Sequence, residues 1–171
     1  MMRGAEAEDP EKKQFGSKIV AIRDVLRKIH AETNDSSIIF VQFTDMYDSM
    51  KRALQHVGIQ TFTLQGSVDN RTRTLQNFKQ TAKSVLLLSL EESPSGMNLV
   101  NANHCLLVHP MFAQDPDEAC RFERQAVGRI CRQGQIKPCF IYRFVTKGTI
   151  EEEFLRKHHA DLVPAELAPS E

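Results

Sequence analysis

Hydrophobic and polar residues follow one another along the chain in a pattern that predicts helices and strands in turn. Apolar residues spaced three and four apart between Ile19 and Ile29 predict a first helix, which Ser17 can cap. The continuous apolar run at 38–41 has the length and β-branched composition of a strand buried in a parallel sheet. The segment from Thr44 to Gly58 has helical periodicity and predicts a second helix.

The alternation continues to the end of the patterned region. Further strands are predicted at 61–64, 85–88, 105–108 and 140–145, and further helices at 69–80, within 125–134 and from 149 onward. This order predicts an α/β fold, a three-layer αβα sandwich with helices on both faces of a mostly parallel sheet. We expect the domain to span residues 16–158, between a disordered segment at 1–15 and a tail at 159–171. Ligands of such sheets bind at the carboxyl ends of the strands, where we expect the motifs to lie.

Composition narrows the class of protein. The 171 residues are 41% hydrophobic, which suits one compact core. No run of about 18 apolar residues and no apolar N-terminal stretch is present, which predicts an intracellular chain without a membrane span. Lys plus Arg and Asp plus Glu both number 22, so any contact with nucleic acid must come from a local patch. The four cysteines form no Cys-x-x-Cys pair, which predicts reduced thiols and no metal site.

The segment 125–135, Gln-Ala-Val-Gly-Arg-Ile-Cys-Arg-Gln-Gly-Gln, carries the most specific chemistry. Arg129 and Arg132 are three residues apart, which places both guanidinium groups on one face of a predicted helix that Gly134 ends. A guanidinium group has a permanent charge and a planar fork of donors, which suits a terminal phosphate. Two such groups can stabilise the charge that develops on a γ-phosphoryl group during hydrolysis. A solvated basic face is the ordinary explanation of Arg-x-x-Arg, but the flanking Gln-Ala-x-Gly and Gly-Gln favour the phosphate interpretation.

The string 125–135 resembles the last motif of the Swi/Snf-type ATPases, a branch of the superfamily-two helicases. The resemblance implies the RecA-like helicase C-terminal lobe as the fold and ATP as the ligand. It also implies that Arg129 and Arg132 act as catalytic arginine fingers, with Gly96, Asn98 and Gln125 close to the nucleotide. The closing segment Thr-Ile-Glu-Glu at 149–152 is similar to the family's last helix start and predicts a capping box.

The resemblance further implies that the lobe contacts the backbone of double-stranded DNA through Gln42, Ser67, Arg73 and Ser89. A Gly-Ser turn that opens a helix, as at 66–67, presents backbone N–H groups and a hydroxyl to a phosphate. The segment from Leu90 to Ser95 departs from the family pattern. It carries two glutamates, which repel phosphate, and it precedes a matching Gly-Met-Asn-Leu.

No phosphate loop of the Gly-x-x-x-x-Gly-Lys-Ser/Thr type and no magnesium-binding Asp-Glu box occurs in the sequence. The resemblance therefore implies the second lobe of an ATP-dependent DNA translocase or chromatin-remodelling ATPase. Its partners are then double-stranded DNA and a first ATPase lobe, in cis or in trans, that holds ATP and Mg²⁺. We expect negligible ATPase activity from this chain alone, and a nuclear location by analogy with the family.

Two alternatives are an RNA helicase lobe and a non-catalytic, stand-alone binding module. The Gln125 start and the Gly134-Gln135 end disfavour the RNA helicase, whose motif more often reads His-Arg-x-Gly-Arg-x-Gly-Arg. The altered segment 90–95 favours the binding module, whereas the intact arginine pair disfavours it.

Overall fold

The computed structural model describes residues 10–89 and 97–160. In chain order the elements are α1 (Pro10–Phe15), α2 (Ser17–Glu32), β1 (Ser36–Val41), α3 (Thr44–His56), β2 (Thr61–Thr63), α4 (Val68–Gln80), β3 (Val85–Ser89), β4 (Ala102–Leu107), α5 (Pro116–Val127), β5 (Phe140–Arg143) and α6 (Ile150–His158). Every strand that the apolar runs predicted is present, with ends that differ by up to three residues.

The strands form one five-stranded parallel sheet in the order β2-β3-β1-β4-β5. β1 lies at the centre, where Phe40 is paired with Leu88 of β3 on one side and with Leu107 of β4 on the other. A strand in this position is covered on both faces, which is why its sequence is a continuous apolar run rather than an alternating one.

Two hydrophobic clusters lie on opposite faces of the sheet. Ile38 and Phe40 point into a cluster that α4 and α5 cover, whereas Ile39 and Val41 point into a cluster that α2 and α3 cover. Successive strand residues face opposite sides, so one short run supplies both clusters. The predicted three-layer α/β sandwich is therefore confirmed, with a fully parallel sheet.

β4 begins at Ala102, three residues before its predicted start, because its first polar residues have partners inside the fold. Asn103 donates from Nδ2 to Asp35 Oδ2 at 2.9 Å, and Nδ1 of His104 lies 3.1 Å from the Tyr142 hydroxyl. Buried polar groups are tolerated when they are hydrogen-bonded. The sequence pattern shows their polarity but not these partners.

The predicted disorder at 1–15 is wrong for its last six residues, which form α1. Glu11 forms an ion pair with Arg23 of α2, and the Phe15 ring lies 5.5 Å from the His56 ring. These contacts with two other helices hold a polar segment that local composition alone would leave unfolded. Residues 1–9, and residues 161–171 of the predicted tail, lie outside the described residues. No helix in the described part of the chain is long and apolar enough to cross a membrane.

Candidate functional site

The two arginines of the segment 125–135, Arg129 and Arg132, lie beyond the end of α5, in a loop that we call the arginine loop, residues 128–135. The prediction of a helix through both arginines and up to Gly134 is wrong. The backbone N–H of Arg129 bonds to the Ala126 carbonyl and that of Ile130 to the Val127 carbonyl, three residues back. This spacing is that of a tight 3₁₀ turn, which commonly ends an α-helix.

The two guanidinium groups have different surroundings. Arg129 is partly buried and its guanidinium carbon lies 6.0 Å from the centre of the Phe40 ring. Its Nη1 is buried without a hydrogen-bond acceptor among the described residues. Loss of solvent lowers the pKa of this guanidinium from its usual value. Arg132 is exposed, so the loop presents one cation inside the fold and one at its surface.

The other residues predicted near the nucleotide lie on both sides of the arginine loop. Gln125 is exposed on the last turn of α5. Asn98 is exposed, and its Oδ1 accepts a hydrogen bond of 3.3 Å from the Val100 N–H. The adjacent Leu99 N–H donates to the Arg129 carbonyl at 3.1 Å, which brings the Asn98 segment against the loop. Gly96, and the segment from Leu90 to Ser95, lie outside the described residues.

We expected every motif to lie at the carboxyl ends of the strands, but the arginine loop also contacts the segment that leads into β4. Gln135 bonds to the carbonyls of Val100 and Ala102, and Ala102 is the first residue of β4. The loop thus packs against the segment that leads into the amino end of β4. The reason is the direction of α5, which starts near the carboxyl ends and carries the chain back across the face of a parallel sheet.

Gln42, predicted to contact DNA, uses both polar atoms of its side chain within the protein. Its Nε2 donates to the Phe112 carbonyl at 2.7 Å, and its Oε1 accepts from the Phe112 N–H at 2.8 Å. The Gln42 N–H donates to Nε2 of His109 at 3.1 Å, so His109 presents a lone pair there and its Nδ1 carries the proton toward the Pro110 carbonyl. Burial lowers the pKa of His109, which favours this neutral form.

These bonds shape an apolar cavity of about 340 Å³ beside the carboxyl end of β1. Its walls come from α3, from the segment after β4 and from α6, and include Phe43, Met46, Phe112, Ile150 and Phe154. Phe43 and Phe112 are 48% and 45% exposed. An apolar cavity of this kind does not suit a phosphate, which needs cations and N–H donors. The cavity and the arginine loop are therefore chemically distinct places on the domain.

The remaining residues predicted to bind DNA do follow the carboxyl ends of two neighbouring strands. Ser67 comes after β2 and caps α4, accepting a 3.4 Å bond from the Asn70 N–H. Gly66 before it has a φ of +82°, which glycine adopts without strain. Arg73 is exposed on α4, and Ser89 is the last residue of β3. Ser67 and Arg73 are exposed at this edge, and Ser89 is partly exposed.

A buried carboxylate beside the arginine motif was missed by the sequence analysis. Glu123 of α5 is 5% exposed, and its Oε1 accepts from Nε and Nη2 of Arg143 at 2.8 and 2.5 Å. Its Oε2 lies 2.8 Å from Nε2 of His159, the residue after α6. The carboxylate therefore joins α5, β5 and the end of α6. His159, predicted to begin the tail, belongs to the folded domain because of this contact.

Thiol and metal chemistry is limited in the described residues. All four cysteines are free, and burial raises the pKa of Cys105 to about 12. Burial, and a hydrogen bond with Cys139 that favours the protonated thiol, raise the pKa of Cys131, which lies between the two arginines, to about 11. Such thiols are protonated and weakly reactive at neutral pH. No group of three or more His, Cys, Asp or Glu side chains fit to hold a metal ion occurs in the described ranges.

Comparison with known proteins identifies the kind of domain that this geometry matches. A family model described as the helicase conserved C-terminal domain matches residues 17–134. The chain is 35% identical over 153 residues to DNA repair protein RAD5 of Yarrowia lipolytica, covering 87% of this chain and 14% of that protein. It is 30% identical over 160 residues to DNA repair and recombination protein RAD54 of Saccharomyces cerevisiae, covering 91% of this chain and 17% of that protein.

Structural comparison agrees with the sequence matches. The crystal structure of the C-terminal part of the Fun30 ATPase domain matches with a TM-score of 0.73 and 26% sequence identity, covering 90% of this chain and 48% of that one. The chain thus spans only a small part of the length of the curated relatives, and about half of the matched structure.

Proposed function

Because the chain belongs to the helicase conserved C-terminal domain family, as the second RecA-like lobe of a Swi/Snf-type ATPase, we propose that it is half of an ATP-driven DNA motor. In this proposal the arginine loop acts on ATP that a first lobe holds together with Mg²⁺. The observation that carries the proposal is the partly buried Arg129, whose Nη1 has no acceptor among the described residues. A buried donor without a partner is costly, and a phosphate oxygen would supply the missing acceptor.

The proposal gives the two arginines different parts in one step. Arg132, exposed at the surface of the loop, reaches across the cleft to the γ-phosphoryl group, while Arg129 stabilises charge from a less solvated position. A cation is more effective where water is excluded. Gln125 and Asn98, exposed on either side of the loop, bind the nucleotide or its attacking water. We assign nucleotide binding to Gly96 as well, on the family motif alone. Arginine fingers contribute about 10³–10⁵ in rate in related phosphoryl transfers.

We assign the DNA contact to the edge formed after β2 and β3. Ser67 and the N-terminal turn of α4 bind a backbone phosphate, with Arg73 and Ser89 beside it. Gln42 is assigned a different part, because both polar atoms of its amide bond to the Phe112 backbone. Relatives named as DNA repair proteins support duplex DNA as the substrate and a nuclear location. Nothing in the described residues favours RNA or a purely non-catalytic module.

The test uses a two-lobe protein that contains this chain and measures ATP turnover with and without duplex DNA. Arg132→Ala should lower turnover by about 10³ or more, because the transition-state charge loses its cation. Arg121→Ala is the matched control, since Arg121 is an exposed arginine on the neighbouring helix and should leave turnover within about twofold. Normal turnover in Arg132→Ala would contradict the proposal.

A second measurement uses the chain alone. Without a first lobe to hold ATP and Mg²⁺, the arginine loop has no bound phosphate to act on, so the purified 171-residue chain should show no significant hydrolysis. A turnover of about 1 s⁻¹ or faster, which is ordinary for enzymes, would refute this.

A further inference from the structure

One glutamine side chain holds the arginine loop to the segment that precedes β4. Nε2 of Gln135 donates toward the carbonyls of Ala102, Val100 and Ile130, at 2.9, 3.1 and 3.3 Å. An amide nitrogen has two protons, so one of them is shared between two acceptors. Oε1 of the same side chain accepts from the Lys137 N–H at 3.0 Å. Both ends of the carboxamide are therefore used to join backbone segments.

The same two segments are joined a second time, closer to the arginines. The Leu99 N–H donates to the Arg129 carbonyl at 3.1 Å, and the Ala102 N–H donates to the Leu99 carbonyl at 3.1 Å. Residues 97–102 and the arginine loop consequently form one hydrogen-bonded unit, fastened at Leu99 and at Gln135. Ile130, fully buried, lies between these two attachment points along the chain.

The loop needs this fastening because it has no continuous helix to hold it. α5 ends at Val127, and the following residues make only isolated turns. A cation stabilises a transition state only if its position is fixed before the reaction, since reorganisation during the step cancels the gain. Misplacement by about 1 Å can reduce a rate by about 10²-fold.

We propose that Gln135 is a positioning residue, which sets the backbone of the arginine loop against residues 97–102 so that Arg129 and Arg132 meet the phosphoryl group in the productive geometry. The inference rests on the proposed function of these arginines. Gln135 itself touches no substrate in this assignment. Its carboxamide is suited to the task because it donates to carbonyls and accepts from an N–H at once, which neither a carboxylate nor an ammonium group can do.

The chain offers a matched control for this proposal. Gln133 is the same residue type, lies two positions earlier in the same loop, and is exposed, whereas Gln135 is partly buried. In a two-lobe protein containing this chain, Gln135→Ala should lower kcat by about 10- to 10²-fold with a KM for ATP within about threefold of wild type. Gln133→Ala should leave both within about twofold. Equal loss in the two variants would overturn the proposal.

A loss of folded protein also lowers apparent kcat, so a readout independent of the active fraction is needed. The ratio of the dissociation constants for ADP–aluminium fluoride, a transition-state analogue, and for ATPγS, a ground-state analogue, provides it. Gln135→Ala should weaken the transition-state analogue by about the same factor as kcat, and ATPγS by no more than about threefold. An unchanged ratio with reduced kcat would overturn the positioning role.

The variants Arg132→Ala and Gln135→Ala together distinguish a failure of this inference from a failure of the proposed function. If Arg132→Ala keeps wild-type turnover, the proposed function fails, and the inference falls with it. If Arg132→Ala is inactive while Gln135→Ala is normal, only the inference fails. When both single variants are impaired, Gln135→Ala should cause a smaller loss in the Arg132→Ala background than in wild type, because only Arg129 is then left for it to position. A fully additive loss would overturn it.

Should Gln135→Ala fail to fold, Gln135→Met keeps about the length and volume of the side chain but removes its donors and its acceptor without adding a charge. Hydrogen exchange of the folded chain alone then tests the fastening directly. The Leu99 and Ala102 amides should exchange about 10-fold or more faster in Gln135→Met than in wild type, while amides of β1 remain unchanged. Unchanged protection at these two amides would overturn the proposal.

Discussion

Replacing Arg129 with methionine should make the isolated domain more stable while it abolishes the activity of the complete motor. The guanidinium of Arg129 is partly buried, and its Nη1 has no acceptor among the described residues. Methionine keeps a long, unbranched side chain over the Phe40 ring and removes the buried charge. The domain alone thus holds a group that is unfavourable for its own folding.

The expected gain follows from two opposing contributions. A buried donor without a partner costs about 1–3 kcal/mol. The position of the cation over the Phe40 ring, at the 6.0 Å limit of such contacts, returns about 0.5–1 kcal/mol. The difference between these two contributions is about 0–2.5 kcal/mol. Because Arg129 is only partly buried, we leave out the upper end of this range and expect a gain of about 0.5–1.5 kcal/mol in the free energy of unfolding.

Urea unfolding of the 171-residue chain measures this gain. With an m value of about 2 kcal/mol per molar urea, a gain of 1 kcal/mol moves the midpoint up by about 0.5 M. Arg121→Met, the same substitution at an exposed position of α5, should change stability by less than about 0.5 kcal/mol. A midpoint of Arg129→Met below that of wild type, with Arg121→Met unchanged, would refute the reasoning. In a two-lobe protein Arg129→Met should lower ATP turnover by about 10³ or more.

Three further predictions concern groups that the fold buries. Glu123→Ala removes the shared partner of Arg143 and His159 and should cost about 1.5–3 kcal/mol in thermal or urea unfolding, and a loss under about 0.5 kcal/mol would contradict the pairing. Burial lowers the pKa of His109 in the folded protein. The stability that neutral His109 contributes is therefore complete above the pKa of about 6.5 in the unfolded chain, and it is lost as the pH falls through the lower folded pKa. The free energy of unfolding, measured against pH, should fall by up to about 1.4 kcal/mol per pH unit because of His109. If wild type and His109→Gln showed the same dependence on pH, His109 would not contribute to it. Gln42→Ala should lower the free energy of unfolding by about 1–3 kcal/mol, because two hydrogen bonds to the Phe112 backbone are lost. It should leave the DNA affinity of a two-lobe protein within about twofold of wild type, and a large loss of affinity would show that Gln42 contacts DNA.

The sheet and most of its helices could be predicted from the sequence because their signals are local. A strand buried on both faces is apolar over most of its length, and the short continuous runs at 38–41 and 85–88 carry this signal. The end of α5 could not be predicted in the same way. A spacing of three between Arg129 and Arg132 fits one face of an α-helix and a pair of tight turns equally well. Burial of Ile130 and the bond from Leu99 decide between them, and both depend on distant residues.

The burial of Glu123, a charged residue, could not be predicted from the sequence either. On an amphipathic helix a glutamate between arginines has the appearance of an exposed residue, because its partners at 143 and 159 come from other elements.

Gln133 and Gln135 show most clearly what the sequence alone cannot predict. They are identical in type and separated by one glycine, and no periodicity distinguishes them. In the structure Gln133 is exposed, while the Gln135 carboxamide contacts three carbonyls of two segments. The difference arises because Gly134 has a φ of +98°, which reverses the chain direction so that the next side chain points back to the domain. A family motif can mark Gln135 as important, but it gives no reason. The reason lies in the contact between the arginine loop and the segment before β4, which the Gln135 carboxamide joins through backbone carbonyls.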